Sequence, residues 1–291
     1  MKIQNWIKLT AAGSTVLAMV IMAGCKSGSR ESGTASEATS RSDAQPQAVT
    51  PADGHAVHRS RRPRPDRSVA GMEAKLAAAT TFEERLDAQR GIFQAHRRSK
   101  DYERAESAYL DVIALLESNQ PPDRVQAAMF SDADLVHRRH DFRMAAWIYD
   151  TLIRHYPRGD WYWHSLLGLG NCLMETDRCT EAETALQQVT EGSQDMDQAA
   201  LAWQQLAICQ ARKGDLNEAT STLNLMAHRY AGTRHADAAQ LTKGQLLDKA
   251  GMRDEAQKTY AALVADGKDF LLRMTAHREL KRMEKEVAAQ Q

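Results

Sequence analysis

Trp203–Leu223 reads WQQLAICQARKGDLNEATSTL, and the spacing of its apolar residues decides the fold. Trp203, Leu206 and Ala207 recur at helical intervals. Gly214-Asp215 then breaks the pattern, and Ala219 and Leu223 open a second helix beyond it. Working outward, the same arrangement recurs along the chain. Ala105, Ala145, Ala182, Ala219 and Ala256 each follow a short polar turn, at Lys100-Asp101, His140-Asp141, Asp177-Arg178, Gly214-Asp215 and Gly251-Met252. Four residues after each alanine stands a large side chain: Tyr109, Tyr149, Leu186, Leu223 and Tyr260. Three further on is another: Val112, Leu152, Val189, Met226 and Leu263. The last three alanine spacings are all 37 residues. A fixed period of this size predicts helix pairs that bury their apolar faces by stacking on neighbouring pairs.

With 291 residues, 43% of them hydrophobic, the chain can bury a substantial core. Order is expected from about residue 70. Thr81 with Glu84 three residues on forms a capping box ahead of Leu86, Ile92 and Phe93. From there no run of alternating β-branched residues interrupts the helical pattern. Pro121-Pro122 and Pro157 sit between periodic segments, where they end one helix and set up the next.

The first 24 residues carry a different message. Lys2 and Lys8 flank the start, Leu9 to Ala23 run apolar and uncharged, and Met22-Ala23-Gly24 leads directly into Cys25. This segment is too short for a comfortable membrane span and has the layout of an export signal. It resembles a bacterial lipoprotein signal peptide over residues 1–24. That resemblance implies cleavage before Cys25, lipidation of Cys25, and, with Lys26 following, sorting to the outer membrane. Acyl chains contribute about 0.8 kcal/mol per buried methylene, enough for several to anchor a protein without a spanning helix. Residues 26–68 contain hardly any large apolar side chain and are expected to form a flexible, disordered linker. They hold 8 basic and 5 acidic side chains, whereas residues 69–291 hold 28 and 33. The basic excess centres on His58-Arg59-Ser60-Arg61-Arg62-Pro63-Arg64-Pro65. This run can touch anionic headgroups or wall polymer, or simply keep the linker extended and soluble. Export argues against nucleic acid as a partner.

The helical segments resemble tetratricopeptide repeats. The fourth unit matches at Trp203, Leu206, Ala207, Gly214, Ala219 and Leu223. The third matches at Leu169-Gly170, Leu173, Ala182 and Leu186, and the second at Ala145, Tyr149 and Tyr156-Pro157. The fifth supplies Gly244, Leu247, Gly251, Ala256 and Tyr260. The first has Tyr102, Ala105 and Tyr109 but carries Phe93 where a small residue is usual. The resemblance implies an all-α, right-handed superhelical solenoid of about five helix pairs, near 82–118, 122–157, 159–194, 196–231 and 233–268. A charged capping helix follows within 269–291. The 37-residue period is similar to that of envelope tetratricopeptide lipoproteins, among them the subunit of the outer-membrane β-barrel assembly machinery and the protein associated with the Tol–Pal system.

In such arrays the first helix of each pair, helix A, lines a concave groove, while the second, helix B, packs behind it. The candidate groove residues are Phe130, Asp134 and His137, then Leu167, Asn171 and Met174, then Gln204 and Ile208, with Leu241 and Gln245 last. Asn171 resembles the asparagine that holds peptide backbone in clamp-type members, without the lysines that accompany it there. Trp161, Tyr162 and Trp163 form an aromatic cluster suited to an interface anchor or to packing between repeats. Signals for catalysis are thin. Gly168-Leu169-Gly170 lies in a helical pattern with no strand before it, so it does not read as a phosphate loop. His137 and His140, one turn apart with Arg138 and Arg139 between them, read as a solvated basic patch rather than a metal site. Cys172 and Cys179 lie seven residues apart across a helix–turn, which permits either a disulfide or two small core residues. The expectation is a non-enzymatic, cofactor-free scaffold, lipid-anchored at the outer membrane and facing the periplasm, that binds an envelope protein or peptide but no small-molecule substrate. The alternative is a wall-associated structural factor whose basic linker contacts anionic polymer.

Overall fold

The computed structural model describes residues 66–289, and within them the chain forms twelve α-helices and no strand. The export segment, Cys25 and most of the linker lie outside the described residues. The helices are α1 (Val69–Ala78), α2 (Phe82–Arg98), α3 (Tyr102–Glu117), α4 (Pro122–Arg138), α5 (Phe142–His155) and α6 (Tyr162–Glu175). They continue with α7 (Cys179–Gly192), α8 (Met196–Lys213), α9 (Leu216–Arg229), α10 (Arg234–Lys249), α11 (Arg253–Asp266) and α12 (Phe270–Ala288). Each helix packs mainly on its neighbours in sequence, and α4, α6, α8, α10 and α12 also meet successively side by side. The fold is a solenoid of helix pairs, with the even-numbered helices forming one wall.

Local chemistry explains where the helices begin and end. Thr81 and Glu84 make the reciprocal capping box of α2, Asp101 and Asp141 accept from the first turns of α3 and α5, and Pro122 occupies the first turn of α4. Every turn from helix A to helix B closes with one left-handed residue: Lys100, His140, Asp177, Gly214 and Gly251, with φ of 60°, 59°, 58°, 100° and 82°. The following N–H reaches five residues back, as in Asp101 to His96 (3.1 Å), Asp215 to Gln210 (2.9 Å) and Met252 to Leu247 (2.9 Å). These are Schellman closures, which satisfy carbonyls at the helix end and reverse the chain within two or three residues.

The five recurring alanines are the tightest points of the array. Ala105, Ala145, Ala182, Ala219 and Ala256 are all 0% exposed. Glycines on the facing helices make room for the large side chain four residues after the alanine: a β-carbon at Gly170 would lie 2.7 Å from Leu186, and one at Gly244 would lie 2.5 Å from the Tyr260 ring. In the first pair Phe93 occupies this place, packed 4.9 Å from the Tyr109 ring, and the Tyr109 hydroxyl reaches over to donate to Asp132 (3.2 Å). The core forms four apolar clusters in succession, as expected where each pair is buried by its neighbours. The sequence pattern did not single out α1, which closes the N-terminal end by setting Met72 against Gly91 of α2.

The α3–α4 junction departs from the regular spacing. Forty residues separate Ala105 from Ala145, and the backbones of α3 and α4 approach each other at fewer places than any other consecutive helices. Polar contacts from α2 instead tie the first pair to the second: Arg90 pairs with Asp132 (2.8 Å), Arg97 with Asp141 (2.9 Å), and Arg139 donates to Gln94 (3.1 Å). Cys172, Cys179 and Cys209 are buried free thiols. Cys172 packs in the cluster around Tyr149, while Cys179 belongs to the next cluster. The Cys172–Cys179 bridge that the spacing allowed is not formed.

Candidate partner-binding face

The wall of even-numbered helices carries an aromatic platform where α4 meets α6. Phe130 of α4 stacks on Trp161 (ring centroids 4.5 Å, planes 29° apart), with Tyr149 at 5.7 Å and His164 at 6.0 Å. Trp161 caps the start of α6, and the exposed His164 ring lies 2.6 Å from the Gln198 amide on α8. Three successive wall helices are thereby joined by groups that offer both π faces and hydrogen-bonding edges, the composition enriched at interface anchors.

The aromatic triplet does not act as one unit, because consecutive helical residues point about 100° apart. Trp161 joins the platform. Trp163 instead lays its indole over Gly192 of α7, and Tyr162 donates its hydroxyl to Gln188 of α7 (3.3 Å). Trp163 is half-buried and packs within its own helix pair.

The remaining candidates divide in the same way. Asp134 pairs with Arg138 of its own helix (2.8 Å), and Asn171 and Leu167 are half-buried on α6. His137 is half-buried with its ring centroid 5.3 Å from that of Phe142, and the centroid of the exposed His140 ring lies 5.6 Å from the same ring. Burial lowers the His137 pKa, against the opposing pull of Asp134 and Glu175. The reading of His137 as part of a solvated basic patch is corrected accordingly. Met174 is 6% exposed and Leu241 8%, so both are core residues rather than groove residues. Gln204 donates to the Ala238 carbonyl (3.3 Å) and to Thr242 (3.1 Å), Ile208 fills the space between two core clusters, and Gln245 is half-buried on α10. Gln204 and Ile208 hold repeats together.

Sequence reasoning missed His164, Gln198 and the Arg90–Asp132–Tyr109 group. Asp132 did leave a signal, since it lies three residues after Met129 and four before Val136, both fully buried. A carboxylate on an apolar helix face needs a partner. Burial raises the Asp132 pKa, while the Arg90 guanidinium pulls it down. Gly168 and Gly170 lie inside α6 against Tyr149 and Leu186, which makes them packing residues. Among the described residues no three of His, Cys, Asp and Glu converge on a common point. The terminal helix α12 is less uniformly charged than its sequence implied: Phe270, Leu271 and Met274 are exposed on its first turns, ahead of His277, Arg278, Lys281 and Lys285.

No protein-family model matches the chain. No curated protein sequence matches it either. Among solved structures, a variant of a Podosopora anserina kinesin light chain with nearly identical TPR-like repeats is 16% identical, with a TM-score of 0.48. The match covers 69% of this chain and all of that one. A second structure of that kinesin light chain is 17% identical, with a TM-score of 0.46 and coverage of 62% and 94%. BtubC (BKLC) from P. vanneervenii is 16% identical, with a TM-score of 0.41 and coverage of 76% and 89%. The repeat architecture itself rests on the packing of α2 to α11 in this chain.

Proposed function

We propose that the protein is a non-enzymatic scaffold that binds another protein along the wall of even-numbered helices. The observation that carries this reading is the platform of Phe130, Trp161 and His164, partly open and reaching a third repeat through Gln198. An extended peptide or a partner helix suits such a surface, since successive side chains of the ligand would meet successive repeats. Cys25 and the linker complete the proposal as a lipid anchor and tether, placing the array at the outer membrane facing the periplasm, where the partner is an envelope protein. The lipoprotein-like signal at residues 1–24 supports this part.

Site-specific photocrosslinking from position 164 in intact envelopes tests the binding face. A discrete adduct that disappears with Trp161→Ala, while the helical circular dichroism is unchanged, is expected. Adducts insensitive to Trp161→Ala and Phe130→Ala would refute it. Membrane retention of Cys25→Ala would sink the anchor. The basic run favours a second reading, attachment to anionic wall polymer. Deleting residues 58–67 tells the two apart: loss of wall association with the crosslink retained selects the second reading.

A further inference from the structure

Cys179 and Cys209 form a juxtaposition that the scaffold reading leaves unused. Cys179 opens α7, and Cys209 lies near the end of α8. The two helices run antiparallel through the turn at Ser193–Asp195, and the cysteines are equidistant in sequence from Gln194. The register therefore sets them opposite each other. Cys179 shares its helical stripe with Ala182, Leu186 and Val189, and Cys209 shares its own with Ala202 and Leu206, all within one buried cluster. The alanines along this seam keep the helices close, and a disulfide needs β-carbons only about 3.5–4.5 Å apart. Lys213 and Glu183 close the same seam with a 2.9 Å ion pair. The two thiols adjoin: after burial, the neighbouring Cys179 is the strongest influence raising the Cys209 pKa. Cys172 sits in a different cluster.

We propose that Cys179 and Cys209 are a disulfide site, oxidised by exchange with a small-molecule or protein disulfide, that staples the third helix pair to the fourth. Cys179 attacks first, because it is 7% exposed where Cys209 is 0%, and it opens its helix, where the end turn frays most readily. Its thiolate attacks one sulfur of the donor, forming a mixed disulfide and releasing one donor thiolate. The Cys209 thiolate then attacks the Cys179 sulfur, the protein S–S bond forms, and the second donor thiolate leaves. The cysteine pair loses two electrons and two protons, and the donor gains both as two thiols. The bond closes α7, its turn and α8 into a covalent loop, which restricts the unfolded chain. The proposal stands whether or not the chain is exported.

The test uses the reduced full-length chain, equilibrated with oxidised glutathione both folded and during refolding from urea. It is then quenched in acid, unfolded, alkylated with N-ethylmaleimide and digested. A Cys179–Cys209 peptide pair is expected, lighter by two hydrogens than its separate halves, with Cys172 carrying maleimide. The urea midpoint should rise on oxidation and fall back with dithiothreitol. Cys209→Ala should leave Cys179 as a glutathione adduct and abolish the reductant-dependent shift, whereas Cys172→Ala should change neither result. Maleimide on both Cys179 and Cys209 under every condition would overturn the proposal. So would pairing of either with Cys172 or Cys25, or a midpoint that does not rise on oxidation. Peptide mapping of the unsubstituted chain decides the matter even where a variant fails to fold.

Discussion

Replacing Gly214 or Gly251 by alanine isolates the left-handed turns that join helix A to helix B. At both positions an added β-carbon would meet no atom within 4 Å, so side-chain crowding contributes nothing and only backbone conformation changes the stability. With φ of 100° and 82°, an L-residue there suffers a left-handed penalty of about 1–2 kcal/mol. The smaller freedom of an unfolded alanine chain offsets roughly 0.4–1 kcal/mol of that penalty. Each substitution should therefore destabilise by about 0.5–1 kcal/mol, or a Tm lower by a few degrees at roughly this chain length. The reverse change at an equivalent turn has the opposite sign: Lys100→Gly, at φ 60°, should stabilise by about 0.5–1 kcal/mol. Urea unfolding followed by far-UV circular dichroism measures the global effect. Amide hydrogen exchange across α8 and α9 shows whether Gly214→Ala loosens its own repeat first. A neutral or stabilising Gly214→Ala, or a destabilising Lys100→Gly, would refute the account of these turns.

Three further outcomes follow from the packing and the charges. Ala219→Leu, at a position with 0% exposure, should overpack the α8–α9 crossing at a cost of about 1–3 kcal/mol, and Gly244→Ala should likewise force its methyl into the Tyr260 ring; a thermal melt unchanged in both would contradict the crossing geometry. Arg97→Ala should cost about 3 kcal/mol by stranding Asp141, which is 12% exposed, whereas Arg154→Ala, from an exposed i,i+4 pair, should cost no more than about 0.5 kcal/mol by urea titration. Burial lowers the pKa of both His137 and His235, so folding favours their neutral forms. Their contribution is present above the unfolded value near pH 6.5 and is lost as pH falls through the lowered folded values. The urea midpoint should therefore drop on acidification between about pH 7.5 and 5, and the His137→Gln, His235→Gln double variant should drop less.

The candidate face was legible in outline and misread in detail, and the individual residues show why. Phe130 is legible from its helix A position in the repeat alignment, and Trp161 from its place in the aromatic triplet that opens the third helix A. Met174 was misassigned although it belongs to α6 at a groove-like interval from Leu167 and Asn171. At the end of that helix Arg212 of α8 folds over and donates to the Met174 carbonyl (2.7 Å), bringing the next repeat across it. Gln204 has the composition of a ligand-binding amide, yet its donors are taken up by Ala238 and Thr242, more than thirty residues away. His164 was passed over because only its approach to Gln198 of the next repeat gives it a role.

The sequence by itself determined the helix pairs, their period, the alanines at each crossing and the polar turns between the two helices of each pair. All of these arise from interactions within about one repeat, where chain connectivity sets the geometry. Tertiary structure alone decided which wall residues stay open, which are covered, and which cysteine faces Cys179. Those outcomes depend on the rotation between one repeat and the next. That rotation is set by shape fitting along the seams between repeats, among residues thirty to forty positions apart, and a local pattern carries no record of it.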